Sequence, residues 1–150
     1  MPLTPGKINT FLLFKLPSAW VTGVRVKYIS KEKCTTAVRL RWINQNPFKS
    51  MFWAVQGMAA ELATGALVMQ AIQETEAPIS MLVAQNKAEF HKKAKGRITF
   101  QCEEGTKVAQ AIETALQTGE GNTIWLQADG TDESGVIVSS FAFEWTIKKK

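Results

Sequence analysis

Hydrophobic and polar positions divide this chain into alternating extended and helical stretches. Near the start, Thr4 and Pro5 read as an N-cap followed by proline at the first helical position, with Ile8, Phe11, Leu12 and Lys15 on one face until Pro17 ends the segment. From Val21 the period becomes two. Val24, Val26 and Tyr28 alternate with Arg25, Lys27 and Ile29, and after the SKEK turn Thr36, Val38, Leu40 and Trp42 share one side, which predicts a half-buried antiparallel hairpin. Asn44, Asn46 and Pro47 then break the strand. Residues 50–72 are apolar almost all round, so they predict a helix wrapped by other elements. Pro78 stops further helix. Residues 79–92 read as a long strand burying Met81, Val83, Ala88 and Phe90, and 97–103 returns beside it. Residues 104–119 form an amphipathic helix, with Val108, Ile112 and Ala115 or Leu116 inward and Gly119 as its stop. Residues 122–128 and 135–147 close the chain as a hairpin through DGTDESG, with Ile137, Phe141, Phe143, Trp145 and Ile147 at two-residue spacings.

The order is helix, two strands, buried helix, two strands, helix, two strands. An α+β domain in which a curved sheet of six antiparallel strands encloses one apolar helix satisfies every segment, and no parallel crossover is needed. At 150 residues the chain is one domain with a core of its own.

The central helix is close to the ~20 residues that span a bilayer, but Gln56, Glu61 and Thr64 lie at its middle, which argues against a membrane span. Glu61 is the anomaly. A carboxylate among apolar neighbours is costly to bury and has its pKa raised. Either a hydrogen bond from Gln56 or Thr64 satisfies a structural Glu61, or Glu61 is chemically used.

Charge and cysteine content alter the picture only slightly. The net charge of +5 gathers in HKKAKGR at 91–97 and KKK at 148–150, which permits phosphate contacts, although solvated lysine is the ordinary explanation. The two cysteines, Cys34 and Cys102, show neither a disulfide framework nor a metal-ligand spacing, so no metal site is expected. No leader-like segment opens the sequence, and a cytoplasmic location is expected.

The residues NPFKSMFWAVQGMAAELATG at 46–65, together with this layout, resemble the hotdog-fold thioesterases, in particular the DUF4442 family, over essentially the whole chain. Family members of the phenylacetate-pathway type carry an Asn, a Gly three later, a His-Gly-Gly at the mouth of the helix and an acid two turns inside it. Asn46 stands at the Asn, Lys49 at the Gly, Phe52, Trp53 and Ala54 at His-Gly-Gly, and Glu61 at the acid; the His and the glycines are replaced. KAEFHKKAKGRI and DGTDESGVIVSS resemble the family's third and fourth strands with their basic turn, and its closing hairpin.

The resemblance implies hydrolysis of an acyl thioester such as an acyl-CoA, with coenzyme A entering as part of the substrate and no separate cofactor. Glu61 would be general base or nucleophile, N–H groups from Phe52 to Ala54 would hold the oxyanion, and Asn46 would orient water or substrate. Thr64 would bond Glu61 or the substrate, unless it bonds its own helix backbone. Met58 and the neighbouring aromatic groups would face an apolar acyl group, and Lys92, Lys93 and Arg97 would meet the carrier's phosphates. Related enzymes draw acid and oxyanion donor from different subunits, which implies a homodimer, with a tetramer as the larger assembly.

A non-catalytic acyl-binding hotdog protein is the main alternative, because the His-Gly-Gly is gone. A hotdog dehydratase needs a His beside the helix acid, and His91 is the sole histidine, in another segment. Nucleic-acid binding lacks aromatics interleaved with the basic cluster, Phe90 being the only one near it. GxSxG and GxxxxGK[ST] are both absent.

Overall fold

A computed structural model describes residues 2–150. Its elements are α1 (Pro5–Lys15), α2 (Pro17–Val21), β1 (Arg25–Ile29), β2 (Cys34–Arg39), α3 (Trp53–Thr75), β3 (Ile79–Phe90), β4 (Arg97–Cys102), α4 (Gly105–Thr118), β5 (Asn122–Thr131) and β6 (Ile137–Lys149), with a 3₁₀ turn at Trp42–Asn44. The six strands form one sheet in the order β1-β2-β4-β5-β6-β3, every pairing antiparallel. The sheet curls around α3, the hotdog arrangement that the sequence implies.

Helix α3 is held on the sheet by its own apolar surface and by two polar tethers. Ala59, Ala60, Ala63, Ala66, Leu67 and Val68 are buried against it. The Thr36 hydroxyl donates to the Ala59 carbonyl at 2.7 Å, and the Gln70 amide donates to the Ser30 carbonyl at 2.8 Å. Gly65 allows the closest approach, since a Cβ there would sit 3.1 Å from the Trp145 ring. Helix α4 covers a second face through Val108, Ile112 and Ala115, and ends at Gly119 in the left-handed conformation with φ 72°.

At the N-terminus, the Thr4 hydroxyl accepts the Lys7 N–H at 3.2 Å, and Ile8 and Leu12 are buried. Pro17 does more than end α1. It opens α2, because proline suits a first helical position, and so β1 begins at Arg25 rather than Val21. Two further expectations fail for local reasons. A bulge between Val26 and Tyr28 reverses the alternation, so Tyr28 faces solvent. Strand β2 stops at Arg39, and Trp42 enters the 3₁₀ turn with 84% of its surface exposed. Phe90, at the end of β3, is also exposed.

The loop from β2 to α3 is rigidly anchored. The Asn44 amide donates to the Thr22 and Arg39 carbonyls, both at 2.9 Å, and its oxygen accepts the Arg41 N–H at 2.8 Å. The Met51 N–H bonds the Ala94 carbonyl at 2.9 Å, which fixes this loop to the β3–β4 connection. Lys49 has φ 62°, the left-handed backbone that favours glycine. A side chain there costs roughly 1–2 kcal/mol, and glycine loses about 0.4–1 kcal/mol to its freer unfolded chain. Lys49→Gly is therefore expected to raise unfolding free energy by about 0.5–1 kcal/mol in urea titration; a loss of stability would contradict this account of the loop.

No helix among the described residues is long and apolar enough to cross a membrane. Cys34 and Cys102 face each other across β2 and β4 as free, buried thiols, and burial pushes them up to about 12 and about 11. Thiols so protonated are poor nucleophiles.

Candidate functional site

Glu61 projects from the middle of α3 into an apolar cavity of about 340 Å³ whose walls include Phe11, Leu12, Leu16, Met58, Met69, Met81 and Trp145. Helix α1 closes one side, which gives its half-exposed Phe11 a place. Glu61 reaches solvent at the cavity mouth, yet the apolar walls strip enough water from its carboxyl to push its pKa above the ordinary 4.5. The described residues give this carboxylate no hydrogen bond and no ion pair. Neither expected partner reaches it: the Gln56 amide donates to the Met51 carbonyl at 3.2 Å, and the Thr64 hydroxyl donates to the backbone carbonyl of Glu61 at 2.8 Å.

Thr64 thus bonds its own helix backbone, one of the two outcomes expected for it. Its hydroxyl, fully buried, also accepts the Trp145 Nε1–H at 2.9 Å and so sets the ring that walls the Glu61 cavity. Thr64→Val leaves that indole N–H without an acceptor, and an orphaned buried donor costs about 1–3 kcal/mol. Chemical denaturation is expected to show a loss in that range; an unchanged midpoint would mean that the bond carries no weight.

A second cavity, about 540 Å³, opens at the N-terminus of α3, lined by Asn46, Phe48, Met51, Phe52, Trp53, Gln56, Phe90, His91, Lys92, Lys93 and Ala94. Among the described residues helix α3 has no side-chain cap, and neither the Trp53 nor the Ala54 N–H has an acceptor, so two first-turn donors remain open. Phe52 is not a third, because its N–H is taken by the Asn44 carbonyl at 2.9 Å. The Trp53 ring leaves the pocket open. It lies 59% exposed, edge-on to Phe52 at 5.9 Å.

Asn46 lines this cavity, but its amide is spent on the loop. It donates to the Ser50 hydroxyl at 3.0 Å and accepts the Phe48 and Ser50 N–H groups at 2.9 and 3.2 Å. These bonds shape the 46–50 turn. Lys92 pairs with Asp132 at 3.0 Å, and the Lys93 ammonium lies 5.9 Å from the Phe48 ring. Asp132 is held well below the usual carboxylate range, first by the Ser134 hydroxyl and then by Lys92. Arg97 does not join the two lysines; it faces a separate cleft. His91 is bonded to the Ser140 hydroxyl at 3.3 Å and lies at the Trp53 cavity, away from Glu61.

Gln56 was legible only as a partner for Glu61, but it belongs to the second cavity. It is 4% exposed and its Oε1 has no partner among the described residues. Its position three residues after Trp53, on the same helix face, was the available signal. Among the described residues no group of His, Cys, Asp and Glu converges as a metal site.

Glu61 and Trp53, the first of the open donors, thus line different cavities of one chain. Eight residues of helix separate Trp53 from Glu61, roughly 12 Å along the axis. With this geometry the chain can be set beside known proteins. The model of the family DUF4442, a domain of unknown function, matches residues 6–147. The chain belongs to the DUF4442 family. No curated protein matches it in sequence. Among solved structures it is similar to PA5026 of Pseudomonas aeruginosa, named a probable thioesterase, with TM-score 0.84, 21% identity, and coverage of 100% of this chain and 99% of that one. A Chlorobaculum tepidum protein of unknown function gives TM-score 0.84 at 19% identity over 99% and 98% of the two chains. The thioesterase HI1161 of Haemophilus influenzae gives 0.77 at 12% identity over 99% and 93%. Likeness at these identities establishes the hotdog fold for this DUF4442 member.

Proposed function

We propose that this protein hydrolyses acyl thioesters of the acyl-CoA kind and does so as a homodimer. The observation that carries the reading is Glu61: a carboxylate in the middle of the central helix, facing an apolar cavity, with no hydrogen bond or ion pair from the described residues to give it a structural purpose. The fold neighbours named as thioesterases support it.

The Trp53 and Ala54 N–H groups, at the positive end of α3, polarise the thioester carbonyl and take up the oxyanion that develops when the carbonyl is attacked. Glu61, as carboxylate, removes a proton from the attacking water, or attacks the carbonyl itself to give an anhydride that water then hydrolyses to the acid and free Glu61. The thiolate leaves and is protonated by solvent. The apolar walls around Met58, Met69 and Trp145 receive the acyl group, and Lys92 and Lys93 add positive charge at the mouth of the Trp53 cavity.

Dimerisation supplies what a single chain lacks. Strand β3 ends the sheet, so among the described residues its outer edge has no strand partner along 12 residues, and a long unpaired edge is a template for a second copy. Two-fold pairing there runs two α3 helices antiparallel, which sets the N-terminus of one beside the middle of the other. The engagement of Phe52 N–H by Asn44 favours one competing reading, a binder with a weakened oxyanion site. Thiol release measured over short, medium, long and aromatic acyl-CoAs separates the two. Turnover of any of them supports hydrolysis, whereas binding without thiol release leaves an acyl-thioester-binding protein.

A further inference from the structure

The cleft that Arg97 faces has no role so far. Arg97 stands directly opposite Arg39 across β4 and β2. Arg25 and Lys27 of β1 and Arg41, just beyond β2, complete the ring around a space of about 140 Å³ on the outer face of the sheet. Ala37 is its floor. Thr36 points inward to α3, so Ala37 points outward, yet it is only 5% exposed beneath the cationic side chains.

This arrangement works against stability. Like charges directly opposite in a sheet repel, and the ion pairs among the described residues, Lys92 with Asp132 and Lys107 with Glu104, use none of the five. Glu133, beside Arg97, accepts the Arg97 backbone N–H at 2.8 Å. Arg25 is fixed in place: its Nη1 donates to the Trp20 and Val24 carbonyls, both at 2.8 Å, and its guanidinium stacks 3.5 Å from the centre of the Trp20 ring. Its pKa is lowered by burial and by the charge of Arg41. Five cations on one cleft, none of them in an ion pair among the described residues, break a local rule that folds normally obey, and such breaks mark function.

The chemistry of the missing counter-charge follows from the donors. Guanidinium forks match phosphate oxygens two at a time, and one carboxylate would leave most of the positive charge uncompensated. The cleft adjoins the Trp53 cavity through the β3–β4 connection. Ala94 lines the cavity and Arg97 the cleft, and three residues span at most roughly 10 Å. We propose that the cleft of Arg25, Lys27, Arg39, Arg41 and Arg97 binds the phosphate groups of the substrate's thiol carrier, an inference that rests on the thioester reading.

The test pairs thermal melting in inorganic pyrophosphate or adenosine 3′,5′-bisphosphate with thiol release from an acyl-CoA and from the matching acyl-pantetheine, which lacks the nucleotide. The parent protein and the double variant Arg39→Gln, Arg97→Gln are compared. Both anions are expected to raise the parent's melting temperature saturably, and the variant is expected to bind them at least about tenfold more weakly, one charge-assisted contact being worth that much. The unliganded variant should melt no lower than the parent, because the pair removed is repulsive. Its kcat/KM for acyl-CoA should fall several-fold more than that for acyl-pantetheine. Equal anion binding by both proteins overturns the assignment, as does the absence of a saturable shift in the parent. Thiol release that the double variant leaves untouched also removes the cleft from the mechanism while the thioesterase reading survives. Anion binding lost in the variant, with no thiol release from either protein, keeps the phosphate site and overturns the thioesterase reading.

Discussion

Replacing Glu61 by Gln is expected to reduce thiol release by about 10²–10⁴-fold, the usual contribution of a positioned general base, while leaving acyl-CoA affinity nearly unchanged. The substitution keeps the size of the side chain and removes only its charge and basicity. A residual rate above a tenth of the parent's would sink the role given to Glu61. The pH profile supplies a second check. Because apolar surroundings raise the pKa of Glu61 above 4.5, the acid limb of kcat/KM should lie above the ordinary carboxylate range and should vanish with Gln. Stability carries the opposite sign. A carboxyl whose folded pKa exceeds its unfolded pKa binds more protons when folded, so its contribution is most favourable at low pH and is lost as pH rises through the two values. Glu61→Gln should therefore melt at or above the parent's temperature at neutral pH, with the gap closing in acid. A structurally satisfied Glu61 would predict the reverse, a less stable Gln variant. Gain of stability with loss of turnover is the pattern of a residue kept for chemistry.

The parts of this fold that were legible in the sequence are those whose signal is local and sustained. Helix α3 is apolar all round for many turns, and β6 repeats Phe141, Phe143, Trp145 and Ile147 at the strand period. Its misreadings come from single residues that shift a period or change an ending. The bulge after Val26 turns Tyr28 outward, and the Asn44 amide, by taking the Arg39 carbonyl, ends β2 before Trp42. At the site, Glu61 was visible as the one carboxylate in the apolar stretch 50–72. The bond of Thr64 to its own helix backbone was legible from its place in the helix, whereas its second bond, from Trp145 81 residues away, was not, because no periodicity reports such a contact. At Asn46 an Asx turn and a water-orienting amide have the same sequence appearance, and the structure shows the turn. The arginine cleft left a trace in the period-two cations at Arg25 and Lys27 and at Arg39 and Arg41. Only the β2–β4 register brings Arg97 to them.

Two inactive variants should restore activity to one another. Trp53 is the first residue of α3, a position that tolerates proline, and Phe52 before it has φ −60° and ψ 136°, the extended backbone that proline asks of its predecessor. Trp53→Pro therefore removes one open N–H while the helix still forms, and loss of an oxyanion donor costs about 10²–10³-fold in kcat. Trp53→Ala keeps the N–H and separates the donor from the ring. If each active site takes Glu61 from one subunit and the donors from the other, a dimer of one Glu61→Gln chain and one Trp53→Pro chain has one site with both defects and one with neither. Random pairing makes half of the dimers mixed, so co-expressed variants should recover roughly a quarter of the parent's activity per chain. The same proteins combined without subunit exchange should remain as slow as each alone. If acid and donor act within one chain instead, every site in every dimer stays defective and co-expression recovers nothing. The roughly 12 Å of helix between Trp53 and Glu61 favours the first outcome, since the attacking group and the oxyanion donors must both lie about 3 Å from one carbonyl.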